Sequence, residues 1–361
     1  MGTIYSLQYL RAIAAILVVI FHATLIVSQT FAPGLRLFTA GEIGVDIFFV
    51  ISGFIMWTIA SARPMGPAEF MTRRVARIVP LYWALTIPAA LISTDGGVGI
   101  AWPPDVAAIL KSLFFIPFWN AHLGGVRPVI PVGWTLNLEM LFYAIFALSL
   151  LLAPRARLVV VAGLLLLVPA SKLVFGQSAH PALELYTKSV VGEFAFGMLL
   201  GWAYANGLSR LTARRGAVPF GLALIALAVA AIPFRGMLTD ARILHFGVPA
   251  LMIVLGALCL EKQAARRPLG VLKFLGDASY SIYLAHMLAL SAGKILLNGG
   301  FAAAHPLAAV AFEAIFACLG GVIVYLVIEK PVTVGAKRLL SGNRASRAPR
   351  LPASQPARPS P

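Results

Sequence analysis

Charge is what this sequence has least of. Only 12% of its 361 residues are charged, and acidic side chains number 13 against 29 Lys and Arg, for a formal net charge of +16. Soluble domains carry about a quarter charged residues, so this chain has too little polar surface to coat a water-soluble body of its size. Cysteine is almost missing: Cys259 and Cys318 each lie inside an apolar run, and two such thiols make neither a disulfide framework nor a metal cluster. There is no internal repeat, and no convincing small-x-small cleavage site follows the first apolar run, Ile13 to Val27. That run therefore reads as a retained span rather than a signal peptide. These absences argue against a cytosolic enzyme, a secreted disulfide scaffold and a nucleic-acid-binding module. The basic excess has another source, in cytoplasmic loops.

What fills the chain is apolar, with 60% hydrophobic residues and a mean hydropathy of +0.89. At about 20 residues per span, the expected fold is an all-α polytopic membrane protein of about ten transmembrane helices. Runs between Gly, Pro and charge breaks place them near 7–29, 42–61, 78–94, 134–153, 157–174, 188–206, 217–234, 243–260, 276–297 and 306–328. The apolar stretch 105–120 is short, follows Pro103 and Pro104 and contains Pro117. It reads as a re-entrant or interfacial piece. With both termini cytoplasmic, twenty basic residues fall inside, Arg73, Arg74, Arg77, Arg155 and Arg266 among them. Eight, including Arg36, Arg127, Arg235 and Arg242, fall on the opposite side or at nearby helix ends. That asymmetry is what positive-inside orientation with an even number of spans produces. Residues 1–330 are expected to form one integral-membrane domain, and 331–361 a basic Pro/Arg-rich cytoplasmic tail. From about 341 the tail is Arg, Pro, Ala and Ser, which cannot bury a core and should be disordered.

Ionisable groups inside spans are costly and mark function by default. Arg11 and His22 are eleven residues apart, and eleven steps of about 100° return to one helix face about 16 Å further along. An anion gripped at Arg11 would extend a thread along this stripe to the imidazole. The plainer readings are a snorkelling Arg and a structural His hydrogen bond. Glu42 and Asp46 share a face at spacing four; Asp46 would orient a histidine or sit as an interfacial charge at a helix N-terminus. Ser52 with Gly53 permits close helix approach. Arg74 and Arg77, three apart, suit bidentate phosphate binding, although topology also calls for basic residues there. Glu139, between Trp134 and Tyr143, is an isolated carboxylate and a candidate proton acceptor or His partner. Tyr280, Tyr283 and His286 climb one side of a later span at spacing three, where a structural hydrogen-bond network competes with chemistry. Glu193 and Glu313 stand without a motif.

Taken in order, these motifs resemble the membrane acyltransferase family 3 proteins, integral-membrane O-acyltransferases of bacterial polysaccharides. Arg11 and His22 match the family's Arg–ten residues–His element. Gly44-Val45-Asp46 to Ser52-Gly53-Phe54, Arg74-x-x-Arg77 before Pro80-Leu81-Tyr82-Trp83, and Trp134 to Tyr143 follow as its further blocks. The phrase Ile51-Ser52-Gly53-Phe54-Ile55-Met56 is similar to the exopolysaccharide-acetylating branch. The resemblance implies an acyl-CoA donor, most often acetyl-CoA, and a carbohydrate acceptor, lipid-linked or already exported, at the bacterial inner membrane. It implies no permanently bound cofactor, no metal and no nucleic-acid partner. Arg11, Arg74 and Arg77 would hold the donor phosphates. His22 would act as general base or acyl relay, with Glu139 or Asp46 fixing its tautomer. Tyr82, Trp134, Tyr143, Tyr280, Tyr283 and His286 would be the substrate-binding residues. A transporter or flippase for a lipid-linked or anionic substrate is the alternative, and the missing repeat weighs against it.

Overall fold

The computed structural model describes residues 2–92, 103–176, 178–232 and 242–336. The tail expected to be disordered from 341, and Arg235, expected on the outer side, lie outside the described residues. Each of the ten apolar windows carries a helix. These are α1 (Tyr5–Thr30), α2 (Ile43–Ala62), α3 (Pro67–Leu91), α5 (Trp134–Ser149), α6 (Pro154–Ala170), α7 (Gly192–Ala203), α8 (Ala217–Ala231), α9 (Val248–Cys259), α10 (Gly270–Leu296) and α11 (Pro306–Val324), while α4 (Val106–Leu113) lies between two of them. Proline opens α3, α6 and α11, where its missing N–H would have had no partner anyway and its fixed φ suits the first turn. The expected start of the third helix near 78 is corrected to Pro67, so Arg73, Arg74 and Arg77 all stand on helix rather than in a loop.

Among the described residues, four helices are long and apolar enough to cross a membrane: Tyr5–Thr30, Thr39–Ala62, Pro131–Ser149 and Pro306–Ala336. A fifth is added if Ser189–Thr212 and Ala217–Ala231, bent by 119°, form one broken span. Other helices are shorter, or carry charge as α3 does with its three arginines. The chain is thus a mostly helical, multi-pass membrane protein. Its outward surfaces agree: Leu148, Leu167, Leu227, Leu307, Ile323 and Val327 are all exposed, and so much open apolar surface belongs against lipid.

The first helix is the hub, packed against α2, α10 and α11. Ala12, Ala14, Ala15 and Ala23 are wholly buried there, and such small side chains let helix backbones approach closely. The same device joins α2 to α7. A Cβ on Gly53 would collide with the carbonyl of Phe194, and one on Gly197 with the carbonyl of Val50.

The stretch 105–120 forms α4 and one strand of a small hairpin, β1 (Trp119–Asn120) with β2 (Gly125–Val126), paired antiparallel. Asp105 caps α4 by accepting from Ala108 N at 2.6 Å. Trp83 Nε1 donates to Leu113 O at 2.9 Å and ties this layer to α3. Eight residues of helix are too few to span a bilayer.

Candidate active site

Side chains of α1, α2, α3, α5 and α10 enclose a cavity of about 320 Å³, within the range that holds small-molecule ligands. Arg11, Arg74 and Arg77 line it, with Ser52, Glu139, Tyr143, Tyr280 and Tyr283, and apolar walls from Val45, Phe48, Phe49 and Ile55. Helical spacing accounts for the first step: residues three apart share a face, so one rotation of α3 delivers both Arg74 and Arg77. Tertiary packing then adds Arg11 from the start of α1.

The arginines are held without being neutralised. Arg11 Nη1 donates to Gln8 Oε1 at 3.2 Å. The Arg74 guanidinium lies over the rings of Phe70 and Tyr143, at 5.9 and 6.0 Å, and its buried Nε has no hydrogen-bond partner among the described residues. None of the three is in an ion pair with a described residue. Glu139, the one carboxylate among the described residues lining the cavity, accepts from Ser52 Oγ at 3.1 Å and from Tyr143 OH. Three guanidiniums against one carboxylate make the described lining net positive, which suits an anionic ligand.

A second group lies behind this cavity. His22 Nδ1 is 3.0 Å from Val18 O and 3.2 Å from His286 Nε2. His286 is wholly buried, whereas His22 is half-buried. Neither ring lines the cavity. Tyr283 connects the two places. Its hydroxyl meets Thr135 Oγ1 at 3.0 Å in the cavity wall, while its carbonyl holds His286 Nδ1. Phe48, also in that wall, packs edge-on to Tyr283 with centroids 5.8 Å apart.

The expected partners of His22 are therefore corrected. Neither Asp46 nor Glu139 reaches it; His286 does. Arg242 takes Asp46 with two hydrogen bonds, of 3.0 and 2.8 Å, and Glu42 with one of 2.8 Å. Asp46 is wholly buried, and a buried carboxylate is stable only with a partner of opposite charge. Arg242 lies 196 residues further along, so the motif around Asp46 gave no sign of it. The available signal was a pair of acids and an arginine assigned to the same side.

Other expected site residues fall in the framework. Tyr82 is wholly buried, stacked on Phe115 at 5.0 Å and packed on Gly133. Trp134 carries the Lys188 ammonium over its ring at 5.3 Å. Neither side chain lines the cavity, while Tyr143, Tyr280 and Tyr283 do. Tyr280 also donates to Ile78 O at 3.0 Å, tying α10 to α3. Ser52, Gln8 and Thr135 line the site without having been assigned to it. Glu193 and Glu313 are buried, their carboxylates abutting Gly247 and Gly293.

Comparison with known proteins places the chain in a family. An acyltransferase-domain family model matches residues 4–329. The exopolysaccharide production protein ExoZ of Rhizobium meliloti is 38% identical over 318 residues, which cover 86% of this chain and 96% of that protein. The putative membrane-bound transacylase BcsY of Komagataeibacter xylinus is 29% identical over 320 residues, 80% of this chain and 73% of that protein. The peptidoglycan O-acetyltransferase OatA of Listeria monocytogenes is 25% identical, and its match covers 78% of this chain but 48% of that protein. No solved structure matches the chain.

Proposed function

This chain belongs to the acyltransferase-domain family and is an O-acyltransferase, and we propose that it moves an acetyl group from cytoplasmic acetyl-CoA to a polysaccharide hydroxyl. The observation that carries this reading is the cavity. Three guanidiniums without an ion pair among the described residues converge beside apolar aromatic walls, a combination suited to a phosphate-bearing head with a thin, mostly apolar arm. An exopolysaccharide or its lipid-linked precursor is the acceptor favoured by the relatives. The one named for exopolysaccharide production matches at higher identity and over nearly its whole length, whereas the one named for peptidoglycan matches over about half of its own.

In this reading the ten helices are ten spans of the inner membrane with both termini cytoplasmic. Arg11, Arg74 and Arg77 then face the cytoplasm, and His22 sits about 16 Å deeper by helical rise. His22 takes the proton of the acceptor hydroxyl as general base. The oxygen attacks the thioester carbonyl, the C–O bond forms and the C–S bond breaks. The thiolate leaves with the electron pair and receives the proton back from His22. Tyr283 and Phe48 form the wall that the acyl arm must pass, because both line the cavity and Tyr283 also holds His286. Glu139 keeps Ser52 and Tyr143 in place at the cavity rather than touching His22.

The test separates a phosphate clamp from simple orientation. Lys keeps the charge that topology needs but lacks the planar two-pronged donor. The double variant Arg74→Lys/Arg77→Lys should insert normally yet bind acetyl-CoA about ten- to a hundredfold more weakly per contact, from about 1.5–3 kcal/mol per charge-assisted hydrogen bond. His22→Ala should bind the donor nearly as the parent does and lose acylation. Parent-like donor binding by the Lys pair would reduce these arginines to orientation signals.

A further inference from the structure

The His22 and His286 rings meet with centroids 4.9 Å apart and planes tilted by 49°, and the atoms around them determine where their protons sit. A carbonyl oxygen only accepts hydrogen bonds, so an imidazole nitrogen touching one must carry the hydrogen. His286 Nδ1 touches the Tyr283 carbonyl. Its proton is therefore on Nδ1, and Nε2 of the neutral ring is a bare acceptor. His22 Nδ1 stands 3.0 Å from the Val18 carbonyl and 3.2 Å from that same Nε2. Both neighbours are acceptors, so His22 Nδ1 carries a hydrogen shared between them. The opposite nitrogen of His22, Nε2, is left with a lone pair.

We infer that His286 is a positioning residue that, with the Val18 and Tyr283 carbonyls, holds His22 in the Nδ1–H tautomer and makes Nε2 the nitrogen that accepts the hydroxyl proton. This rests on the reading of His22 as the base. A neutral partner fits this place. His286 is wholly buried where α1 packs on α10, and a carboxylate there would need a cation of its own, as Asp46 needs Arg242. Two neutral imidazoles satisfy each other at no net charge. When Nε2 takes the proton from the acceptor, His22 becomes an imidazolium. Its Nδ1–H bond to His286 Nε2 then becomes charge-assisted and strengthens. The stabilisation thus grows as charge develops, which is what raises a rate rather than an affinity.

The chain has six histidines, few enough for ¹⁵N-histidine spectra of the full-length protein in lipid bilayers. The His22 signals are those that vanish in His22→Ala. The expected result at neutral pH is a proton-bearing Nδ1 and a proton-free Nε2. His286→Gln keeps an acceptor at the end of the side chain, and should keep both the tautomer and acylation within a few-fold. His286→Leu removes it. His22 should then show mixed tautomers, and kcat should fall about 10- to 100-fold at unchanged donor KM, a part of the ~10²–10⁴ that a positioned base supplies. A proton on His22 Nε2 in the parent overturns the inference, and that spectrum decides even if the Leu variant fails to insert. So does a Leu variant with parental tautomer and parental kcat. Full acylation by His22→Ala removes instead the catalytic role proposed for His22, and leaves the tautomer assignment to the spectrum.

Discussion

Replacing Asp46 by Asn should weaken the fold before it touches the chemistry. Asp46 is fully buried, and it receives Arg242 Nε at 3.0 Å and Nη2 at 2.8 Å. The same guanidinium reaches the Glu42 carboxylate at 2.8 Å and its carbonyl at 3.3 Å. An Asn at 46 can accept one of the two bonds, but its amide NH₂ then faces the second guanidinium N–H donor to donor. The loss is one charge-assisted bond, about 1.5–3 kcal/mol. Arg242→Met goes further and leaves Asp46 buried without a counter-charge, a change that costs about 3–5 kcal/mol. Joining Arg242→Met to Asp46→Leu removes both charges and should recover most of that loss, since apolar replacement of a whole buried pair is close to neutral. Glu42 loses its partner too, but at 13% side-chain exposure it retains access to water. The assay is thermal loss of monodisperse, detergent-solubilised protein for both single variants and the double, with acylation measured alongside on membranes of equal protein content. The double variant should be more stable than Arg242→Met alone. An Asp46→Asn protein with parental thermal stability and no acylation would refute this account and return Asp46 to the reaction.

Other consequences are equally direct. Gly197→Leu should abolish the native protein rather than its activity alone, because its side chain has the Val50 carbonyl where a Cβ must go; overpacking of this kind costs about 1–3 kcal/mol or more, and size-exclusion profiles will show whether the variant assembles. Tyr280→Phe removes the bond to Ile78 O and should cost about 0.5–1.5 kcal/mol of stability with donor affinity within a few-fold; a collapse of donor binding at full stability would make the hydroxyl a ligand contact. For topology, Cys introduced at Pro64, Ala213 or Ala265, all exposed positions, should stay unlabelled by an impermeant thiol reagent in intact cells. Cys at Ala121, exposed beside the hairpin, should label. The reverse pattern at any one of them overturns the arrangement with both termini inside.

Much of this protein was legible from local pattern. Composition demanded lipid, and each of the ten apolar windows carries a helix among its described residues, because the length of an apolar run and its proline breaks act within one segment. Spacing also placed Arg74 and Arg77 on one face and put Gly53 at a close helix contact, since periodicity is a property of the single helix. Partners were another matter. The motif around Asp46 pointed to a histidine, but packing supplied Arg242 from 196 residues away. The acid expected beside His22 is replaced by His286, 264 residues distant, and Tyr82 and Trp134 turned into framework although they sit inside the right motifs. Helical spacing says which side a residue faces and is silent on what stands opposite. A buried charge or imidazole takes whichever group the packed bundle brings within hydrogen-bond reach, because leaving it unpaired costs more than any local preference can return.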